Sequence, residues 1–154
     1  RIPLPDASVD LIVADWVFEH IPDPARTAAE LGRVLKPGGW LCARTPNRYG
    51  YIAVGNRVIP EAFKDAVLSR LQKTRRADDV FPAHYRMNHR GALDALFPAP
   101  SWANHSYFWD AEPSYHGGRK FLYRLFSLVH TVSPPRLKTT LMIFLRKAPE
   151  PAAD

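Results

Sequence analysis

Apolar residues near the start of the chain follow two different periodicities in succession. The stretch SVDLIVAD, residues 8–15, is continuously apolar between acidic residues, which is typical of a strand buried on both faces of a parallel sheet. Beyond it, Asp23 can cap a helix whose first position is Pro24, and Ala28, Leu31 and Leu35 follow at helical spacing. The pattern therefore predicts a strand followed by a helix.

The helix is predicted to stop within VLKPGGWLCARTPN, residues 34–47. Pro37 disfavours helical geometry at the residue before it and lacks an N–H, while Gly38 and Gly39 permit a turn. Trp40–Thr45 is typical of a second buried strand, which makes the segment one crossover unit of a parallel sheet. A phosphate-binding loop places its glycines between a strand and the start of a helix. We therefore interpret these glycines, which stand in the reverse order, as a structural turn.

The remainder of the chain mixes helical and strand patterns. A helical composition extends from Gly55 to Arg76, and a short helix is predicted from Arg90 to Phe97. WANHSYFW (102–109) and RLKTTLMIFLRKA (136–148) have strand patterns, and GGRKFLYRLFSLVHTV (117–132) is typical of an amphipathic helix. We expect residues 1–148 to form one domain and residues 149–154 to be a disordered tail.

Composition limits the class of protein. The chain has 154 residues, 46% of them hydrophobic, which is enough for a single core. Its one cysteine, Cys42, cannot form an internal disulfide, so a cytoplasmic location is the simplest expectation. The formal charge of +6 favours weak attraction to polyanions but does not by itself indicate a function. Because the chain starts at Arg1 and a strand follows almost at once, we expect it to begin within a domain.

The stretch from Leu4 to Asn47, LPDASVDLIVADWVFEHIPDPARTAAELGRVLKPGGWLCARTPN, resembles a known family. It is similar to the second half of the catalytic domain of class I S-adenosylmethionine-dependent methyltransferases, of the type that acts on small molecules. In that family an LPF-like turn, a strand ending in an acidic residue, an EH-containing element, a helix, an LKPGG turn and a strand follow in this order. The order and spacing of all these parts agree here.

The resemblance implies an α/β fold, namely part of the doubly wound, Rossmann-like sheet of these enzymes. Residues 9–15 would be the fourth strand and residues 40–45 the fifth, with residues 24–35 as the helix between them. Residues 103–109 and 138–146 would form the antiparallel end of the sheet. The resemblance further implies S-adenosylmethionine as cofactor. Strands one to three, with the glycine-rich cofactor loop, would be missing, so the chain would be a fragment, inactive alone.

Candidate site residues follow the first strand, because ligands of open α/β sheets bind at the carboxyl ends of the strands. Asp15, Trp16 and Val17 are predicted to contact the cofactor, mainly through their backbone. His20 is a candidate general base for an acceptor hydroxyl, because its ordinary pKa lies near neutrality. Glu19 is a candidate for substrate binding. Alternatively, Glu19 and His20 hydrogen-bond the loop and favour the start of the next helix.

The end of the second strand supplies further candidates for substrate binding. Thr45 and Asn47 lie on the predicted ligand side, where Asn47 could orient a substrate or simply form a turn. Tyr49 could line an acceptor pocket. Arg86 could bind an anionic acceptor, although a solvated arginine explains it as well. The histidines lack the close spacing of metal ligands, so no metal is predicted.

The function predicted from these observations is methyl transfer to a small-molecule or lipid-like acceptor. One alternative is a non-catalytic methyltransferase-like domain that binds a partner. Another is a basic module for nucleic acid or a membrane surface, although we do not expect nucleic-acid binding. The helix RKFLYRLFSLVH could contact a membrane or a lipid-linked acceptor, but we favour packing of its apolar side against the sheet. The sequence does not indicate an oligomeric state.

Overall fold

A computed structural model describes residues 1–58, 82–110, 113 and 116–150. Its helices and strands follow one another along the chain as β1 (Val9–Asp15), α1 (Pro24–Val34), β2 (Leu35–Pro46), α2 (Tyr51–Val58), α3 (Arg90–Leu96), β3 (Trp102–Asn104), β4 (Tyr107–Trp109), α4 (Lys120–Val132) and β5 (Thr140–Lys147). The predicted helix from Gly55 to Arg76 is described only as far as Val58, and the rest of it lies outside the described residues. Residues 151–154 of the predicted tail also lie outside them.

The strands form one mixed sheet in the order β1, β2, β5, β3, and β4 also pairs with β5. β1 and β2 are parallel, which confirms the predicted strand–helix–strand unit. β5 runs antiparallel to β2 on one side and to β3 and β4 on the other. The antiparallel end implied by the family resemblance is therefore confirmed. The predicted strand at 102–109 is interrupted at residues 105–106, between β3 and β4.

Helix α1 begins as its sequence predicts. The Asp23 side chain accepts a hydrogen bond from the Arg26 N–H at 3.1 Å, and Pro24 stands at the first position. The helix ends at Val34, earlier than predicted, and β2 starts at the next residue. Ala28, Leu31 and Val34 form its buried face.

The LKPGG turn belongs to an irregular start of β2. Val9 is the register partner of Leu35, whereas Leu11 is the partner of Trp40, so residues 36–39 form an excursion with no counterpart in β1. Gly38 has a φ of +79°, a left-handed conformation that favours glycine. The prediction that the glycines form a structural turn is thus confirmed, although the turn lies inside the strand.

The core lies on one face of the sheet, beneath α1 and α3. Side chains of alternate residues of β2 and β5 point into it, and the buried cluster consists of Phe18, Ile21, Ala28, Leu31, Leu41, Ala43, Met87, Leu93, Phe97, Leu141, Ile143 and Leu145. The opposite face is open, since Leu11 and Val13 of β1 are exposed. The prediction that β1 is buried on both faces is therefore wrong for this structure, because no described element packs over its second face.

Helix α4 also differs from its prediction. None of its residues is buried, so the favoured interpretation, packing of its apolar side against the sheet, is wrong. The helix instead contacts α2, where the ring of Phe126 stacks on Tyr51 with centroids 5.4 Å apart. His130 adds a contact of 3.1 Å between its Nε2 and the Tyr51 hydroxyl.

Candidate functional site

The loops that follow β1 and β2 share one edge of the sheet. The two strands are parallel, and Asp15, the last residue of β1, is the register partner of Arg44 in β2. The Trp16 N–H donates to the Arg44 carbonyl oxygen at 2.8 Å and extends this contact beyond the strand. The fold therefore brings the candidates after β1 next to those at the end of β2, as the topology predicts.

Asp15 and Trp16 are both bound by Arg44. The guanidinium group donates to the two carboxylate oxygens of Asp15 at 2.7 and 2.8 Å, and its carbon lies 5.1 Å from the centroid of the Trp16 ring. These hydrogen bonds lower the pKa of Asp15 below its ordinary value. Both partners of the ion pair are about half exposed, so it orients the side chains more than it stabilises the fold.

Trp16 has a strained backbone at the point where the chain leaves β1. Its φ of +54° lies in the left-handed region, which is uncommon for a bulky residue. Trp16 and the neighbouring Val17 are exposed. Strained residues of this kind concentrate at binding sites, where the surrounding structure holds them in place.

Glu19, Thr45 and Asn88 form a buried chain of hydrogen bonds. The Asn88 amide nitrogen donates to the Thr45 hydroxyl oxygen at 2.5 Å, and the hydroxyl donates to Oε2 of Glu19 at 2.8 Å. Asn88 also donates to the Pro46 carbonyl oxygen. All three side chains are almost fully buried. The chain therefore ties the loop after β1 to the end of β2 and to the segment before α3.

His20 occupies the end of a short 3-10 turn, Phe18–His20. Its Nδ1 lies 2.9 Å from the carbonyl oxygen of Pro82. A carbonyl oxygen can only accept a hydrogen bond, so Nδ1 carries a proton in this contact. In the neutral ring the lone pair is then on Nε2, the atom that a general base would use.

Asn47 is buried and bound by its surroundings. Its amide nitrogen donates to the carbonyl oxygens of Arg136 and Lys138 at 2.8 and 2.7 Å, and its amide oxygen accepts from the Tyr49 N–H. Both amide hydrogens are therefore used within the protein. The Tyr49 side chain, in contrast, is exposed and contacts the ring of His89.

Arg86 belongs to a segment that crosses the loop after β1. Its guanidinium donates to the Pro22 carbonyl oxygen at 2.6 Å. The N–H groups of His84 and Tyr85 donate to the carbonyl oxygen of Glu19. This segment thus places Arg86 near the turn that contains Glu19 and His20.

Arg44 and Asn88 also belong to the candidate site, and sequence reasoning missed them. Arg44 stands two residues after Cys42 in a strand, so strand alternation would have placed its side chain on the open face, next to Val13 and Asp15. Asn88 carries no such signal, because its segment has no regular periodicity. Its partner Thr45 lies 43 residues away.

The open face of the sheet carries a shallow groove of about 280 Å³ next to this edge. It is lined mainly by apolar side chains, and Asp15 and Arg44 border it. Cys42 lies in the groove, and partial burial raises the pKa of its thiol, which disfavours a nucleophilic role. The groove thus gives the site a largely apolar wall.

The part of the chain that the structure describes lacks two features. It contains no group of three or more His, Cys, Asp or Glu residues arranged to hold a metal ion. Within the same residues, no helix combines the length and apolar character needed to cross a membrane.

Comparison with known proteins gives a family match and several relatives. The family model "Methyltransferase domain" matches residues 1–43, which contain β1, the turn and α1. A protein of Mycolicibacterium smegmatis named "Probable S-adenosylmethionine-dependent methyltransferase" is 53% identical over 48 residues, which are 31% of this chain and 19% of that protein. An uncharacterized methyltransferase of Schizosaccharomyces pombe is 27% identical over 129 residues, 82% of this chain and 43% of that protein. The chain thus spans less than half the length of either relative.

A solved structure supports the fold. The complex between the Haloferax volcanii Trm112 methyltransferase activator and a methyltransferase contains a chain that matches with a TM-score of 0.52 and 15% identity. The match covers 100% of this chain and 60% of that one. The resemblance predicted from the motif between Leu4 and Asn47 is therefore confirmed: residues 1–43 match the methyltransferase domain model, and the two relatives described above are named as methyltransferases.

Proposed function

We propose that the full-length protein transfers a methyl group from S-adenosylmethionine to a small-molecule or lipid-like acceptor. The observation that carries this proposal is the position of the family match. Residues 1–43 contain the strand, turn and helix that bring residues 15–20 to the carboxyl edge of the sheet, beside Thr45 and Asn47. Ligands of open α/β sheets bind at this edge.

The residues after β1 suit part of the cofactor. Trp16 and Val17 offer exposed apolar surface for a nucleoside or an alkyl chain. The carboxylate of Asp15 is already paired with Arg44, so its contact would come from the backbone, as the sequence reasoning favours. Bound S-adenosylmethionine would supply an activated methyl group, and the task of the protein would be to align the acceptor with it.

His20 is the proposed general base for a hydroxyl acceptor. The contact of its Nδ1 with the Pro82 carbonyl oxygen holds the ring in the tautomer whose Nε2 can accept a proton. Its position at the end of the turn after β1 puts it at the same edge as Trp16. The role of His20 would be to take the acceptor proton at Nε2 as the methyl group is transferred.

The remaining candidate site residues fall into a buried group and an exposed group. Glu19, Thr45 and Asn47 are buried and bonded to other parts of the chain, so we propose that they hold the substrate-side loops in place. Tyr49 and Arg86 are exposed and therefore able to contact an acceptor directly. An anionic or aromatic group on the acceptor would suit these two side chains.

We further propose that the chain is part of a longer methyltransferase. It covers 19% and 43% of the two relatives described above. It contains no G-x-G-x-x-G sequence that could form the cofactor loop of the family. The first three strands and that loop would then belong to a portion of the protein outside these 154 residues.

Calorimetric titration of the full-length protein with S-adenosylmethionine, and with its demethylated product, tests the proposal. We expect saturable binding of both molecules with one site per protein. Binding without methyl transfer to any phenol, quinol or prenyl acceptor would favour the non-catalytic alternative. Absence of binding by a folded full-length protein would overturn the proposal.

A further inference from the structure

Helix α4 carries an apolar stripe on its exposed side. The stripe consists of Phe121, Leu125, Leu128 and Val132, which are 74%, 42%, 59% and 68% exposed. Successive members are four, three and four residues apart, so they align along one side of the helix. We call these four residues the α4 stripe. Large apolar side chains in such a contiguous arrangement indicate a binding surface rather than ordinary exposure.

The surface around the α4 stripe is basic. Arg124 follows Phe121 by three residues and precedes Leu128 by four, so it lies beside the stripe, and Lys120 lies one turn earlier on the same flank. Arg119 precedes the helix, and Arg136 follows it in the turn Pro135–Leu137. The sequence contains no Asp or Glu from residue 116 to residue 149.

Charge selects among the partners that could cover the stripe. A second copy of the helix would bring the basic flanks together without an acidic partner from the helix itself, which is unfavourable. A nucleic acid would satisfy the positive charges but would leave the apolar stripe in water. An anionic lipid surface satisfies both features, because apolar side chains enter the acyl region while Lys and Arg contact the phosphates.

We propose that α4 binds peripherally to the surface of an anionic lipid bilayer. The α4 stripe would insert at the boundary between headgroups and acyl chains, with Arg124 and Lys120 contacting lipid phosphates. The helix has the 13 residues and the two contrasting sides that such an interfacial element needs.

Contacts with the rest of the protein connect α4 to the candidate site. Tyr51, at the start of α2, stacks on Phe126 and lies within hydrogen-bond distance of His130. Asn47, at the end of β2, donates to the carbonyl oxygens of Arg136 and Lys138, just after the helix. Membrane binding by α4 would therefore bring the loop after β2 close to the lipid surface. This consequence rests on the proposed function and favours an acceptor that resides in the membrane.

Cosedimentation of the full chain with lipid vesicles tests the proposal. We expect binding to vesicles that contain phosphatidylglycerol and much weaker binding to phosphatidylcholine alone, with a loss at high salt. The double substitution Leu125→Ser, Leu128→Ser should weaken binding by about tenfold or more, because two inserted side chains are lost. Lys120→Gln with Arg124→Gln should weaken it by about fivefold per residue.

A matched control is Leu4→Ser, which removes an exposed leucine far along the chain from α4 and should leave vesicle binding unchanged. Circular dichroism and thermal unfolding of each variant establish that it folds. Unchanged binding of the folded Leu125→Ser, Leu128→Ser variant would overturn the proposal, as would no preference for anionic vesicles. If the protein dimerises without vesicles and the Leu125→Ser, Leu128→Ser variant does not, the α4 stripe binds a second copy of the chain instead. If the protein binds an oligonucleotide as strongly as anionic vesicles and this variant still does so, the basic surface binds nucleic acid.

The outcome is independent of the proposed function. Vesicle binding is measured without S-adenosylmethionine, so its failure leaves the calorimetric test of methyl transfer unaffected. Conversely, a protein that binds vesicles through the α4 stripe but binds no cofactor would retain this inference and lose the proposed enzyme activity.

Discussion

A few individual hydrogen bonds connect the segments that form the candidate site. Thr45 both donates and accepts, since the Asn88 amide nitrogen can only donate to it and its own proton then goes to Glu19. The hydroxyl is thus the central member of a buried chain that joins three separate segments. The position of Thr45 at a strand end was predictable, but its role depends on Asn88, whose placement only the fold determines.

Replacing Thr45 by valine should destabilise the protein markedly. The substitution keeps the shape but leaves Oε2 of Glu19 and one of the two Asn88 amide hydrogens without a partner in a buried site, and we expect a loss of about 2 to 4 kcal/mol in the free energy of unfolding. Thr45→Ser keeps the hydroxyl and is the matched control. Urea unfolding measures both variants. Equal stability of the two would contradict the importance of the hydrogen-bond chain.

Replacing His20 by alanine should lower turnover with little effect on cofactor affinity. A positioned base contributes roughly a hundredfold or more to rate, and this contribution would be lost if His20 accepts the proton at Nε2. Initial rates and calorimetry of the full-length protein separate the two effects. His105→Ala is a control, because His105 lies in the break between β3 and β4. A parallel loss of rate and cofactor affinity would make His20 a binding residue.

At the scale of elements, the start of β2 explains why the LKPGG sequence resembles a ligand loop without being one. The excursion at residues 36–39 lies at the amino end of β2, whereas the candidate residues lie at the carboxyl ends of β1 and β2. Pro37 and a left-handed Gly38 form this excursion within the first residues of β2. The order of helix, glycines and strand was sufficient to predict this role from the sequence.

The two glycines should differ in their sensitivity to substitution. A Cβ atom on Gly39 would lie 2.9 Å from the carbonyl oxygens of Asp10 and Lys36, so the backbone would have to move. Gly38 has open space around it but a φ of +79°. We expect Gly38→Ala to cost about 1 kcal/mol and Gly39→Ala about 2 to 3 kcal/mol, measured by urea unfolding. A larger cost at Gly38 would mean that the conformation, rather than the close approach, dominates.

The N-terminal segment is attached to α1 by a cluster of charges. Arg33 binds Glu30 at 3.0 Å and Asp6 at 2.6 Å, and it donates to the carbonyl oxygens of Ile2 and Leu4. The Ile2 N–H donates to Glu30 in return. The cluster therefore connects the chain before β1 to the end of the helix that follows it.

This cluster predicts a specific loss of stability in acid. The hydrogen bond from Arg33, followed by that from the Ile2 N–H, lowers the pKa of Glu30 from 4.5 to about 2. A lowered pKa stabilises the folded state above the unfolded-state pKa, and this contribution is lost as the pH falls from about 4.5 through about 2. Glu30→Gln should therefore flatten this part of the pH–stability curve, measured by urea unfolding. Identical curves for wild type and Glu30→Gln would contradict the prediction.

At the scale of the whole molecule, the local sequence patterns predicted the order of helices and strands better than they predicted which surfaces are exposed. The strand–helix–strand unit was predictable because Asp23 and Pro24 mark the start of the helix by local chemistry, and Pro37 excludes a helix that continues beyond it. The exposure of β1 and α4 was not predictable, since an apolar side chain has the same sequence pattern whether or not another element covers it. The pairing of Asp15 with Arg44 likewise depends on register, which the sequence does not specify across 29 residues.

The open sheet leads to a prediction about cofactor affinity. β1 is a terminal strand of the described sheet, with Leu11 and Val13 exposed, so the carboxyl edge would provide only one side of the proposed cofactor site. Binding sites bury most of a ligand's surface. We therefore expect the 154-residue chain to bind the demethylated cofactor product at least about a hundredfold more weakly than the full-length protein. Calorimetry of both measures this difference, after circular dichroism and sedimentation show the chain to be folded and monomeric. Similar affinities would mean that the loops after β1 and β2 suffice for binding.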